Sequence, residues 1–349
     1  MSKRPTIKDL AEAAAVSVAT VDRVLNSRTS VREATAQRVL KAAEAIGYHA
    51  SGLIRHRVEQ NFPGKTIAVL LQRDSDAFYR ELARQLADAF RVPGRFTLIP
   101  DIHFMEEVTP ECIVATIDKV AESADAVVLV ALDDHKVQQR IENLMANGKV
   151  VISLLAPLGA VNHTGHIGHN SRMGGRSAGW TIARLGKPVG KVGILLGSHR
   201  YLNQEEAEIS FVRYLREHTK LEVLPPMLNL DDDRLAAEAT HQLLTSHPDL
   251  VALYNTGGGV DGVIRALRSR PDRQLTVVCN ELTPASREAL ADNVLDMVIA
   301  TPVEKLSQQV ARQLHNALVS QSSYRFQPLH LPVELYIAEN VGPADYLPD

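Results

Sequence analysis

Apolar residues recur at helical spacing twice within the first 26 positions of the chain. Ile7, Leu10, Ala11 and Ala14 follow the i, i+3, i+4, i+7 stripe of a helix buried along one side, and Val18, Val21, Val24 and Leu25 are again at helical spacing. Ala15-Val16-Ser17 between them reads as a tight turn, in which Val16 plugs the core and Ser17 caps the second helix through its hydroxyl. A third helix, roughly Val31 to Ile46, sets Val39, Leu40, Ala43 and Ile46 inward and stops at Gly47, with Ser30 and Glu33 spaced as a capping box. From Lys65 onward the pattern changes. Continuous apolar runs at Thr66–Leu71, Ala126–Val130, Val150–Leu155, Lys191–Leu196, Val251–Tyr254, Leu275–Cys279 and Met297–Ala300 suit strands buried on both faces of parallel sheets. Amphipathic stretches lie between them at Phe78–Phe90, Val137–Ala146, Gln204–Arg216 and Leu235–Leu244, long enough for crossover helices. The predicted fold class is an N-terminal all-α helix-turn-helix headpiece followed by an α/β domain of two doubly wound parallel-sheet lobes. Thr66–Phe90 and Lys191–Leu215 are both strand, polar loop and helix, which predicts two similar halves with a cleft between them.

Size and charge sharpen this picture. With 349 residues and 45% hydrophobic content the chain exceeds one ordinary domain, and what remains beyond the headpiece suits two α/β subdomains. The net charge of −3 hides an asymmetry: residues 1–60 hold ten Lys/Arg and six Asp/Glu, a charge of +4, which leaves −7 for the rest. A basic end on an acidic body concentrates attraction for phosphate in one place. Cys112 and Cys279, the two cysteines, sit in apolar settings and read as free thiols of a reducing compartment. The polar start MSKRPTIKDL carries no secretory apolar region, and no run reaches transmembrane length, so a cytoplasmic protein without a membrane partner is expected.

Two helices held at a steep angle make a helix-turn-helix, whose second helix can enter a DNA major groove. Its outer side would carry Val18, Ala19, Asp22, Arg23 and Asn26, a small, polar and cationic set. Other motifs carry less. His163, His166 and His169 have metal-like spacing, but the segment reads as a loop entering a strand that contains Gly165 and Gly168, so the three rings do not converge, and surface or cleft-edge histidines are expected. Gly257-Gly258-Gly259 lacks both the phosphate-loop and the dinucleotide pattern and reads as a tight turn at the cleft. Asp231-Asp232-Asp233 reads as a solvated helix N-terminus. No Ser-His-Asp or Cys-His arrangement stands out. No catalytic residue, metal or cofactor is therefore expected.

The motifs T-I-K-D-L-A at Thr6–Ala11, V-S-x-x-T-V-x-R-V-L-N at Val16–Asn26 and A-I-G-Y at Ala45–Tyr48 resemble the headpiece of the lactose-repressor/galactose-repressor family of bacterial transcription regulators. The rest resembles the type I periplasmic sugar-binding fold, at I-A-V-L-L from Ile67, Y-N-x-G-G-G from Tyr254 and E-L-T-P from Glu281. The resemblance implies a non-enzymatic regulator, a repressor, that binds a palindromic operator as a homodimer under the control of a small polar effector, a sugar or polyol first. The C-terminus lacks a leucine-heptad tail, which favours a dimer over a tail-assembled tetramer. It implies that Ser17 and Thr20 contact phosphate, that Val18 and Ala19 meet base edges, and that Arg23 hydrogen-bonds a base, with Thr6, Asp22 and Asn26 in the same DNA-facing set. Asp22, where a small hydroxyl residue is usual, pairs with a neighbouring Arg or disfavours some bases. In the hinge, Ala50 replaces a common Pro and Arg57 the minor-groove wedge Leu; Arg55 and Arg57 remain phosphate or minor-groove contacts, and Leu53 or Val58 is a substitute wedge.

For the effector the resemblance implies Asp76, Phe78 and Tyr79 after the first strand, and Asn255, Glu281 and Thr301 after later ones: carboxylates, an amide and aromatic faces suited to a hydroxylated ring. Leu155-Ala156 replaces an Asp-Arg pair, and Ala207 replaces an Arg. Either His199 and Arg200 compensate, or the ligand is smaller and less hydroxylated than a common hexose. The expected organisation is a headpiece at 1–49, a hinge at 50–64 and an effector and dimerisation domain at 65–349. Its first lobe is about 65–167 and 299–326 and its second about 168–298 and 327–349, with crossings near Ile167, Val298 and Phe326. The alternative class is a binding protein or α/β enzyme with a helical appendage.

Overall fold

The computed structural model describes residues 4–26, 31, 33–54, 63–92, 94–159, 165–320 and 328–342. Ser30, Arg55, Arg57, Val58, His163 and Phe326 lie outside the described residues. The chain divides into two compact units, Met1–Thr66 with Phe90–Ile99 and Ile67–Ala89 with Pro100–Asp349.

In the first unit, α1 (Ile7–Ala13), α2 (Val18–Asn26) and α3 (Glu33–Ala45) close on one apolar cluster. Thr6 caps α1 in a reciprocal box with Asp9. The turn into α2 needs one left-handed residue, and Ala15 supplies it at φ 51°. For a residue with a Cβ that costs about 1–2 kcal/mol, offset by the bonds it permits: Val16 N–H reaches Ala11 O at 3.0 Å, and Ser17 Oγ accepts Thr20 N–H at 3.1 Å. Leu10, Val21, Val39 and Ala43 are fully buried at the centre. Ile54 is equally buried in the same cluster, and Ala50 packs against it, so headpiece packing runs past the boundary expected at residue 49. The physical reason is a further helical turn over residues 51–54, which turns Ile54 inward.

The strands of the remaining chain are β1 (Gly64–Leu71), β2 (Thr97–Phe104), β3 (Ala126–Leu129), β4 (Val150–Leu154), β5 (Gly165–His169) and β6 (Lys191–Leu196). There follow β7 (Glu222–Val223), β8 (Met227–Leu228), β9 (Leu250–Asn255), β10 (Thr276–Asn280), β11 (Met297–Ala300), β12 (Leu329–Leu331) and β13 (Glu334–Tyr336). One sheet has the order β12-β5-β4-β3-β1-β2 and the other β13-β11-β10-β9-β6-β7, with β8 also on β6. Pairing among β1, β3, β4, β5 and β12 is parallel, as it is among β6 to β11, and β13 runs antiparallel to β11. The helices are α4 (Ala77–Arg91), α5 (Pro110–Ala121), α6 (His135–Ala146), α7 (Ser171–Leu185), α8 (Leu202–His218), α9 (Asp233–Ser246), α10 (Val260–Arg268), α11 (Pro284–Ala291) and α12 (Val303–Ser320). The second sheet is buried on both faces, as its apolar runs require. Leu195, Leu253, Val263 and Leu290 fill one side, and Ile182, Phe211, Tyr254 and Val278 the other.

The described chain passes between the sheets three times: after β5, after β11 where α12 returns to pack on β4 and β5, and between β12 and β13. The third passage lies beyond the expected Phe326. Leu329, His330 and Leu331 pair with Ile167, Gly168 and His169, which keeps residues 168–169 and 329–331 in the first lobe. The first two passages likewise fall a few residues later than Ile167 and Val298, because β5 and β11 continue to His169 and Ala300.

Helices α7 and α8 approach closely, and Gly175 allows it: a Cβ there would lie 2.0 Å from the Ala207 carbonyl oxygen. That oxygen is backbone and cannot rotate away. Gly175→Ala should therefore destabilise the second unit by about 1–3 kcal/mol, the usual cost of overpacking, measured as a shift of the denaturant midpoint at constant slope. An unchanged midpoint contradicts the contact.

Candidate effector site and nucleic-acid interface

Helix α2 turns Ser17, Val18, Ala19, Arg23 and Asn26 to the surface, with Thr20 and Asp22 half-buried. Val18 is 41% exposed, which an apolar side chain at the start of a short helix gains nothing from in water. Asp22 pairs with Asn26, whose amide donates to it at 2.7 Å, and no arginine among the described residues pairs with it. Ser17 and Thr20 hydroxyls share a bond of 2.9 Å. The Thr6 hydroxyl donates to Asp9 at the exposed head of α1. Arg55 and Arg57 belong to the stretch outside the described residues.

In the second unit a cavity of about 260 Å³ opens between the lobes at the carboxyl ends of β1, β4, β6, β9 and β10. Asp76, Phe78, Tyr79 and Glu281 line it, as the sequence implies. Phe78 and Tyr79 meet edge to face at 5.2 Å. Leu155 and Ala156 also line it. The other four expected residues do not. Asn255 is fully buried behind the wall, where its amide donates to the Gly257 and Gly258 carbonyls and braces the loop. Thr301 is also buried: its amide and hydroxyl donate to Glu281 at 3.1 and 2.7 Å. His199 is half-exposed against Glu208. Arg200 reaches across to Asp134 at the rim, because the turn Tyr201 N–H to Ser198 O sends the Tyr201 ring inward instead. Ala207 faces α7, so the residues that α8 offers the cavity are Asn203 and Gln204.

Sequence reasoning missed Gln72, Arg73, Tyr201, Gln204, Asp231 and Asn280 in the wall. Asp231 is the largest departure from expectation. It is not a solvated helix end: Asp232 caps α9, and Asp231 turns into the cavity to accept the Gly258 amide at 2.7 Å and the Gln204 amide at 3.2 Å. That bond occupies the glycine-loop amide that an anionic ligand would need. The signal was three acids in a row before a helix, of which only one can cap. Across the cavity Gln72 donates to the Tyr201 hydroxyl and Arg73 to the Asp231 carbonyl, so the lobes meet directly. His166 and His169 are buried rather than on the surface, His166 against Ser153 and His169 against Thr301, and His169 lies at the cleft, the other position expected for these histidines. No group of three or more His, Cys, Asp or Glu among the described residues could hold a metal.

Burial dominates the electrostatics. Desolvation, reinforced by Asp231, Asp233 and Asp261, pushes the Asp76 carboxyl up to about 6. Desolvation pushes Glu281 up to about 7 against the lowering effect of Thr301, with Asp76 adding to the rise. Asp231 is raised for the same reason. His166 and His169 are held down to about 4 by burial first, then by neighbouring histidines. Tyr79 and Tyr201 stay protonated.

A two-lobed α/β binding domain behind a helix-turn-helix headpiece is the class that this fold and cavity define. Residues 67–322 match the model of the periplasmic binding protein domain, and residues 6–51 match that of the lacI family of bacterial regulatory proteins. The chain belongs to the periplasmic binding protein domain family over residues 67–322 and carries a headpiece that matches the lacI family at residues 6–51. Catabolite control protein A of Priestia megaterium is 37% identical over 83 residues, 24% of this chain and 24% of that protein. The regulator GalR of Escherichia coli is 32% identical over 102 residues, 29% of each. The chain thus aligns with about a quarter of the length of these curated relatives. Among solved structures, a solute-binding protein of Agrobacterium vitis bound with α-D-tagatopyranose shares the fold at TM-score 0.72 and 18% identity, over 81% of this chain and 97% of that one. One of Actinobacillus succinogenes with D-allose does so at 0.68 and 17%, over 79% and 99%. No helix among the described residues is long and apolar enough to cross a membrane.

The raised Glu281 carboxyl has a defined consequence for stability. Its favourable contribution is fully present below the unfolded value near 4.5 and is lost as pH rises through about 7. The two buried histidines run the other way, since their contribution is present above 6.5 and lost as pH falls through about 4. A difference between variants separates the two. Relative to wild type, Glu281→Gln should gain on the order of 1–3 kcal/mol between about pH 4.5 and pH 8 and then level off. Unfolding titrations across that range check it, and a flat difference contradicts the assignment.

Proposed function

We propose that this protein is a cytoplasmic DNA-binding transcriptional regulator, a repressor, which binds a palindromic operator as a homodimer. Its affinity for DNA is set by a small polar metabolite, sugar or polyol in size, held between the lobes. The observation that carries this reading is that one chain joins an exposed Ser17-Val18-Ala19/Arg23 helix face to an interlobe cavity walled by Asp76, Phe78, Tyr79 and Glu281. Fold relatives with bound tagatopyranose and allose support a ligand of that size, and the cavity lies just below the usual range of roughly 300–1,000 Å³ for ligand pockets. Asp76 comes from the first lobe and Asp231 and Glu281 from the second, so a bound ligand touches both and biases their closure. Closure changes the spacing of paired headpieces on two half-sites about one helical turn apart. Arg23 is the main base reader, Ser17 and Thr20 hold phosphate, and Arg55 and Arg57 follow the backbone or the minor groove.

The test begins by selecting a preferred duplex from a randomised pool with wild-type protein. Arg23→Ala should lose roughly 10–100-fold affinity for that duplex yet keep a ligand-induced rise in melting temperature. Phe78→Ala should do the reverse. A wild-type protein without salt-dependent affinity for any duplex ends the regulator reading.

A further inference from the structure

Six acidic residues border the interlobe cavity: Asp76 from the first lobe, and Asp231, Asp232, Asp233, Asp261 and Glu281 from the second. Three arginines border it as well: Arg73 lies close enough to Asp231 for its charge to favour that carboxylate, while Arg80 and Arg234 are committed elsewhere. Arg73 donates to the backbone carbonyls of Glu106 and Asp231, Arg80 to that of Asp74, and Arg234 pairs with Glu238 along its own helix. Asp232 caps α9, and Asp233 accepts the Gly262 amide. Among the described residues Asp76 accepts the Phe78 amide, Asp231 the Gly258 and Gln204 amides, and Glu281 the two donors of Thr301. All of these donors are neutral. Carboxylates drawn out of water without a cation are costly, and the upward shifts of Asp76 and Glu281 reflect that.

No guanidinium stands after β4 or in the first turns of α8: Leu155 and Ala156 line the wall, and Ala207 faces another helix. A separate observation points the same way. Asn203, another wall residue, has its Oδ1 buried with no hydrogen-bond partner among the described residues, so a small shift of the wall would free one more acceptor for a donor. An anionic ligand would meet three carboxylates, and the loop amide suited to it already serves Asp231. A neutral polyol supplies donors and leaves the charge unbalanced. A protonated amine supplies three donors and the missing charge together.

We propose that the effector is a cationic amine on a small hydroxylated ring, an amino sugar or amino polyol, whose ammonium sits among Asp76, Asp231 and Glu281 while the ring lies against Phe78 and Tyr79. The assignment rests on the reading of this cavity as the effector site. Calorimetric titration of the full-length protein with matched pairs tests it: glucose with glucosamine, galactose with galactosamine, myo-inositol with an amino-inositol, plus N-acetylglucosamine, glucose 6-phosphate and gluconate. At least one free amine should bind ten-fold or more tightly than its hydroxyl twin, and more tightly than any N-acetylated or anionic member. That preference should shrink at least ten-fold in Glu281→Gln and in Asp76→Asn, each verified as folded by its melting transition. Tighter binding of a neutral or anionic member, lost in Phe78→Ala, overturns the cationic assignment and leaves the cavity reading intact. Binding by none of the compounds overturns both.

Discussion

A carboxylate at the end of a buried strand must find donors or give up its charge, and Glu281 finds both of its donors on Thr301. Thr301 is the first residue after β11, at the second passage between the lobes. Its oxygen also meets Nδ1 of His169, the last residue of β5 and the start of the first passage. With Glu281 ionised, the single hydroxyl proton of Thr301 goes to the carboxylate, so His169 must be the donor and its tautomer is fixed. One chain of hydrogen bonds therefore runs from the cavity wall to two of the three connecting strands. Whatever changes the charge on Glu281 changes what holds those strands together.

Backbone geometry places these acids where they are. Among the described residues six non-glycine positions have positive φ, and Leu155, Asp231 and Glu281 among them line the cavity. Each follows a strand and turns the chain sharply enough to aim its side chain inward or to clear space. Such conformations cost about 1–3 kcal/mol apiece and persist where surrounding bonds over-determine them. Asp231 is held by Asn229, Gly258 and Gln204, and Glu281 by Thr301. Strain of this kind gathers at sites of function rather than at random. The turn at Ala15, with φ 51°, repeats the device in the headpiece.

What the sequence disclosed follows from the length scale of each signal. The headpiece was readable because its pattern is local: stripes of 3.6 period, a capping hydroxyl at Ser17 and a turn of three residues. Apolar runs exposed β1, β3, β4, β6, β9, β10 and β11, since strands buried on both faces need no alternation. The short strands β7, β8, β12 and β13 were invisible, as was α7, whose glycines serve close packing against α8 and dilute any helical stripe, whereas β5 was legible as a strand holding Gly165 and Gly168. Within the cavity, Asp76, Phe78, Tyr79 and Glu281 were legible as polar or aromatic residues just beyond strand ends. Asn255 and Thr301 share that position yet turn away from the cavity, and no periodicity reports which side of a strand end a side chain takes. Tyr201 and Gln204, at the start of α8, meet Asp231 from the loop before α9, and only the fold brings these two segments together.

A sensor of this architecture can move an equilibrium only as far as its ligand distinguishes the two states. Groups that touch the ligand from one lobe alone contribute affinity without switching. On the proposed reading, the ammonium is the part that distinguishes the states. With the lobes apart it would lie near Asp231 and Glu281 with water completing its shell, whereas closure adds Asp76 from the facing lobe and removes that water. Electrostatic attraction strengthens as water leaves, so the gain falls mainly on the closed form. A neutral hydroxyl in the same place would make comparable bonds to water and to protein, and would separate the two forms less. The uncompensated acids, expensive in an isolated fold, are then the means by which a ligand of monosaccharide size is given leverage over the distance between two DNA-reading helices.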